Sequence, residues 1–87
     1  MRYYVTLAQK CVSFVVHPLE QAFAHRLKQL RNDQNWSQAR LAEESGLSDR
    51  EIRHLERGDR WPKADTLERL ARAFRLHPKD LLDFPWP

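Results

Sequence analysis

Two short helices separated by a turn constrain the fold of this chain more than any other feature. The chain has only two glycines, and Gly46 and Gly58 both suit the left-handed conformation that ends a helix. Ser37 and Ser48 stand where N-caps are needed to accept from unpaired backbone N–H groups. Glu51 follows Ser48 at the spacing of a capping box. The pattern predicts helices over residues 38–45 and 49–57.

The second of these helices separates apolar from basic side chains. At about 100° per residue, its inward side carries Ile52, Leu55 and Glu56. The opposite side carries a stripe of basic residues, namely Arg50, His54 and Arg57, with Arg53 on its flank. An arginine can donate to two acceptors of a guanine at once, so the stripe suits the base edges and phosphates of DNA. The alternative interpretation is that this charged helix face is simply solvated and binds nothing.

Three further helices flank this pair. The apolar spacing predicts an amphipathic helix from Leu19 to about Asp33, with a corner at Gln34 and Asn35. A fourth helix is predicted over about residues 64–74, and a last short one over residues 78–82. The sequence therefore predicts a mainly α, compact five-helix domain over residues 19–83.

The two ends of the chain lie outside this domain. Residues 2–7 and 11–16 have the alternation of short strands, so residues 1–18 are expected to form an N-terminal β-hairpin, an arm or a leader. Residues 84–87 form an aromatic tail that contains Phe84 and Trp86. These aromatics and an apolar hairpin would expose more apolar surface than a small monomer normally carries, which favours self-association.

Composition excludes several classes of function. Cys11 is the only cysteine, so no disulfide can form within one chain, and the four histidines lack metal-ligand spacing. No apolar run approaches the roughly 20 residues that span a bilayer. We find no phosphate-binding loop and no catalytic triad pattern. These observations predict a cytoplasmic protein that is not an enzyme and has no metal, cofactor or membrane partner.

The net charge is +3, but residues 19–58 contain seven basic and seven acidic residues. This balance disfavours a protein that binds nucleic acid by charge alone. Any recognition of DNA must therefore depend on where the charges lie.

The order and spacing of apolar, capping and charged residues resemble those of the lambda-repressor-like, Xre-type helix-turn-helix family over about residues 19–83. The matching residues are Leu27, Leu30, Arg31, Ser37, Gln38, Leu41, Ala42, Gly46, Ser48, Ile52, Leu55, Glu56, Gly58, Pro62, Leu67, Leu70, Ala71, Phe74 and Leu81. The resemblance implies a five-helix domain in which residues 37–45 and 48–57 form the helix-turn-helix.

The resemblance also implies roles for individual residues. Base edges would be read by Ser48, Asp49, Arg50 and His54. The DNA backbone would be contacted by Gln38, Arg53, Arg57, Arg60 and Lys63. Arg31 and Glu56 would form a partly buried salt bridge between the first and third helices.

These expectations combine into a sequence-specific, double-stranded DNA-binding protein, a small homodimeric transcriptional repressor in a bacterial, archaeal or phage setting. The alternative is a protein-interaction module, such as an antitoxin that binds a partner protein and reads DNA weakly or not at all. The balanced charge of residues 19–58 and the acids Asp49 and Glu51 favour that alternative.

Overall fold

The computed structural model describes residues 18–86, which contain five helices and no strand. The helices are α1 (Pro18–Asp33), α2 (Gln38–Ser45), α3 (Asp49–Arg57), α4 (Ala64–Phe74) and α5 (Pro78–Leu81). The five-helix prediction is confirmed, and α5 ends one residue earlier than expected. The predicted N-terminal hairpin lies outside the described residues. Within residues 18–86, no helix is both long and apolar enough to cross a membrane.

The caps that define α2 and α3 form as local chemistry predicts. Ser37 Oγ accepts from the backbone N–H of Arg40 at 3.0 Å, and Ser48 Oγ accepts from that of Glu51 at 3.1 Å. Gly46 and Gly58 end the two helices with φ values of 77° and 78°. The capping box is only half formed, because the Glu51 carboxylate makes no hydrogen bond among residues 18–86. It instead borders a groove beside the loop after α3.

One apolar core holds the helices together. α1 packs on α3, α2 packs on both α3 and α4, and α5 packs on α4. The largest fully buried side chains come from all five helices, and they are Phe23, Leu27, Leu41, Ile52, Leu70 and Leu81. Burial of each such side chain contributes about 1.5–3 kcal/mol relative to exposure. Because α3 lies against both α1 and α2, its inward side is fixed and its outward side is left to solvent.

Two tryptophans pack on phenylalanines of this core. Trp36, in the corner between α1 and α2, stacks on Phe74 at the end of α4, with ring centroids 5.5 Å apart. Trp61, in the loop before α4, packs at a tilt on Phe23, with centroids 5.4 Å apart. Both tryptophans therefore pack against phenylalanines of the core.

Candidate nucleic-acid interface

Helix α3 is held to the body of the domain by one side. Ile52, Leu55 and Glu56 are buried, as the angular spacing of the helix predicts. Arg50 and Arg53 are exposed on the outer side. The same residues that fix α3 in the core therefore set the direction in which its arginines point.

A buried carboxylate ties α3 to the two preceding helices. The Glu56 side chain is 3 % exposed, and it accepts from Arg31 Nε at 2.6 Å and from Arg31 Nη2 at 3.0 Å. Gln38 Nε2, at the first position of α2, donates to the same carboxylate at 2.9 Å. Arg31 Nη1 also donates to the Trp36 carbonyl at 2.8 Å. These hydrogen bonds fix the position of the N-terminus of α2 relative to α3, and so relative to the outer side of α3.

The basic residues around this frame differ in how far they are already paired. Within the described part of the chain, the side chains of Arg50, Arg53, Arg60 and Lys63 make no hydrogen bond or ion pair. All four are exposed. Their charges are consequently available to an incoming anion.

A shallow groove joins α3 to the loop before α4. Its lining includes Glu51, His54, Arg60 and Lys63. Lys63 is the N-cap residue of α4, and its side chain makes no capping hydrogen bond. Within residues 18–86, the first-turn N–H groups of α4 therefore have no capping side chain, and such groups bind phosphate oxygens well.

Two residues of the predicted stripe are arranged differently from the expectation. The His54 side chain is only 20% exposed, and it lines the groove together with Arg60 and Trp61 of the loop that follows α3. Arg57 is exposed, but its guanidinium contacts the carboxylate of Asp59 at 3.1 Å. Asp59 was not among the predicted site residues. Asp59 directly follows Gly58, whose left-handed conformation turns the chain back on α3. This position is the sequence signal for its contact with Arg57.

Asp59 is charged at neutral pH. Partial desolvation raises the pKa of its carboxyl group, but the positive charge of Arg57 outweighs that effect and holds the pKa below its ordinary value. The remaining acids of the surface, Asp49 and Glu51, lie in the first turn of α3, where negative charge is favourable to the helix dipole.

The interface thus combines exposed cations, uncapped N–H donors and a helix with a fixed outward face.

Residues 27–81 match the helix-turn-helix family. The chain belongs to the helix-turn-helix family. It is accordingly a DNA-binding transcription regulator of the lambda-repressor-like type, as the sequence resemblance predicted. Proteins of this family are regulators and not enzymes, which confirms the prediction that the chain has no catalytic function.

The chain is similar in sequence or structure to bacterial control proteins and to a transcription factor. The control protein C.BamHI of Bacillus amyloliquefaciens is 40% identical over 63 residues, which cover 71% of this chain and 78% of that protein. The crystal structure of the restriction-modification controller protein C.AhdI from Aeromonas hydrophila matches with a TM-score of 0.68 and 34% identity, over 71% of this chain and 94% of that one. A hypothetical transcription factor from Neisseria matches with a TM-score of 0.71 and 27% identity, over 77% of each chain.

Proposed function

We propose that this helix-turn-helix protein binds a specific double-stranded DNA operator as a homodimeric repressor, of the kind that controls a restriction–modification system. The observation that carries the proposal is the outer face of α3, where Arg50 and Arg53 are exposed and unpaired within residues 18–86 while the opposite face is buried. A helix held in this way can enter the major groove. The similarity to C.BamHI and C.AhdI supports the controller role.

The proposed contacts divide into base readout and backbone binding. Base edges would be met by Ser48, the N-cap of α3, by Asp49 and Arg50 in its first turn, and by His54 in its last turn. Gln38, Arg53, Arg60 and Lys63 would meet phosphates, together with the free N–H groups at the start of α4. The bond from Gln38 to Glu56 supports this division, because it fixes the phosphate-binding end of α2 relative to the base-reading helix.

Dimer formation is proposed through the aromatic tail. Trp86 is 55% exposed, yet its indole is fixed by a hydrogen bond from Nε1 to the Leu82 carbonyl at 3.1 Å and by stacking on Phe84. It also meets Trp61 edge to face, with centroids 6.2 Å apart. Large aromatic side chains that are exposed but already ordered lose little entropy on binding, so they are suited to an interface.

Selection of bound DNA from a random-sequence pool, at near-physiological salt, tests the proposal. A dimeric reader should recover a palindrome with half-sites about one helical turn, roughly ten base pairs, apart. Recovery of no motif, with binding lost as salt rises, would leave charge attraction alone. That result would contradict the operator model and favour the protein-interaction alternative.

A further inference from the structure

Asp59 lies in direct contact with one of the cations of the proposed DNA-binding face, Arg57. Asp59 Oδ2 is 3.2 Å from Arg57 Nε and 3.1 Å from Arg57 Nη2. The same oxygen is 3.6 Å from His54 Nδ1. Arg57 Nη2 in turn lies 2.8 Å from His54 Nδ1. The three side chains therefore form a closed cluster at the C-terminal end of α3.

The cluster distinguishes Arg57 from the other cations of this face. Arg50, Arg53, Arg60 and Lys63 have no side-chain partner within residues 18–86. Arg57 is 61% exposed and could reach solvent, yet two of its nitrogens point at the Asp59 carboxylate. A carboxylate and a phosphate offer the same kind of acceptor to a guanidinium. Asp59 therefore competes with the DNA backbone for Arg57.

The contact between Arg57 and His54 also has a defined direction. An arginine side chain has donors and no acceptor, so His54 Nδ1 must be the acceptor of the hydrogen bond. Neutral His54 then carries its proton on Nε2. The cluster thereby fixes both the orientation of the imidazole and the nitrogen that can donate to a base.

We propose that Asp59 is a specificity-determining residue, which keeps Arg57 away from the DNA backbone and uses it to orient His54 for base reading. The inference rests on the proposed function, since it concerns the same DNA-binding face. Backbone contacts raise affinity for every sequence alike, whereas base contacts raise it for the operator alone. Asp59 keeps Arg57 from contacting the DNA backbone and lets it orient His54 for a base contact. Asp59 thereby increases the ratio of operator binding to non-specific binding.

The test compares Asp59→Asn with wild type on the selected operator and on a random duplex, over a series of salt concentrations. Release of Arg57 should add one phosphate contact. The affinity for random duplex should rise about five- to tenfold at 0.1 M salt, and the salt slope should steepen by about 0.9. The operator affinity should rise less, because His54 loses its fixed orientation, so the specificity ratio should fall.

Two matched variants isolate the cause. Glu68→Gln removes the same charge from an exposed side chain of α4 that has no ion pair in residues 18–86, and it should leave the salt slope close to that of wild type. Combining Arg57→Ala with Asp59→Asn should abolish the gain on random duplex. Asp59 is exposed, and thermal unfolding of each variant checks that the fold is retained.

The outcomes separate this inference from the proposed function. If wild type binds its operator but Asp59→Asn behaves like Glu68→Gln, the role of Asp59 is wrong and the operator model stands. If Arg57→Ala alone lowers the salt slope of wild type by about 0.9, Arg57 is an ordinary phosphate contact and the inference is again wrong. If neither wild type nor Asp59→Asn binds any duplex at low salt, both the proposed function and this inference fail.

Discussion

Arg31 and Glu56 are joined by two parallel hydrogen bonds, from Arg31 Nε to Glu56 Oε2 at 2.6 Å and from Arg31 Nη2 to Glu56 Oε1 at 3.0 Å. The pair links α1 to α3, and the side chains of Arg31 and Glu56 are only 15% and 3% exposed. Such a planar, charge-assisted pair fixes orientation as well as distance. It sets the angle at which α3 presents Arg50 to solvent.

Arg31→Ala should destabilise the domain strongly, because it leaves the Glu56 carboxylate buried without its cation. The expected loss is about 3–5 kcal/mol of unfolding free energy, measured by urea or thermal denaturation. Arg69→Ala is the matched control, since Arg69 pairs with Asp65 in an exposed i,i+4 contact and should cost less than about 1 kcal/mol. Equal unfolding midpoints for Arg31→Ala and wild type would show that the pair contributes nothing.

Gly58→Ala should destabilise the protein more than Gly46→Ala. Both glycines have positive φ, which costs an alanine about 1–2 kcal/mol. A Cβ at Gly58 would lie 2.5 Å from Gln21 Nε2, so the Gln21 amide would have to move and lose its hydrogen bond to the Arg57 carbonyl, whereas one at Gly46 would meet only the end of Arg69 at 3.1 Å. Removing the obstruction with Gln21→Ala should bring Gly58→Ala close to Gly46→Ala in chemical denaturation. If the order of the two single variants is reversed, the contact with Gln21 is not what constrains this turn.

The helix boundaries could be predicted because their signals are local. Ser37, Ser48, Gly46 and Gly58 each act on backbone groups within a few residues, so sequence spacing alone places α2 and α3. The buried side of α3 followed from helical periodicity for the same reason. These features need no knowledge of what packs against them.

Other features depend on contacts between residues that are distant in sequence, or on side-chain directions. The hydrogen bond from Gln21 to the Arg57 carbonyl spans 36 positions, and the sequence around each residue gives no signal that predicts it. Periodicity predicts that His54 lies on the exposed stripe, but its side chain is half-buried and lines a groove with the loop after α3. Phe84 was expected in an exposed tail, yet it is half-buried against the core. Periodicity describes one helix and cannot show which loop returns to cover it.

Trp86→Ala should weaken self-association if the aromatic tail is the dimer interface. Analytical ultracentrifugation over a concentration series should show a monomer at concentrations where wild type is dimeric. Lys79→Ala, an exposed change on neighbouring α5, should leave the association constant unchanged. Because Trp86 is more than half exposed, its loss should alter the unfolding midpoint of the monomer little. A Trp86→Ala protein that remains dimeric at the same concentrations would exclude this interface.

Arg50→Ala and Lys63→Ala should weaken DNA binding in two different ways. Arg50 is exposed on the outer side of α3, so its loss should cost about 1–3 kcal/mol on the operator and relax discrimination at one base position. Lys63 lies at the start of α4, and its loss should weaken all sequences alike and lower the salt slope by about 0.9.

Binding titrations on the operator, on single-base variants of it and on random duplex distinguish these two effects. Arg72→Ala removes the same type of exposed cation as Arg50→Ala, from α4, outside the proposed contact set, and should retain both affinity and specificity. If Arg50→Ala reduces binding to every duplex by the same factor, Arg50 contacts the backbone instead of a base. If neither Arg50→Ala nor Lys63→Ala changes binding at low salt, the outer face of α3 is not the DNA-binding surface.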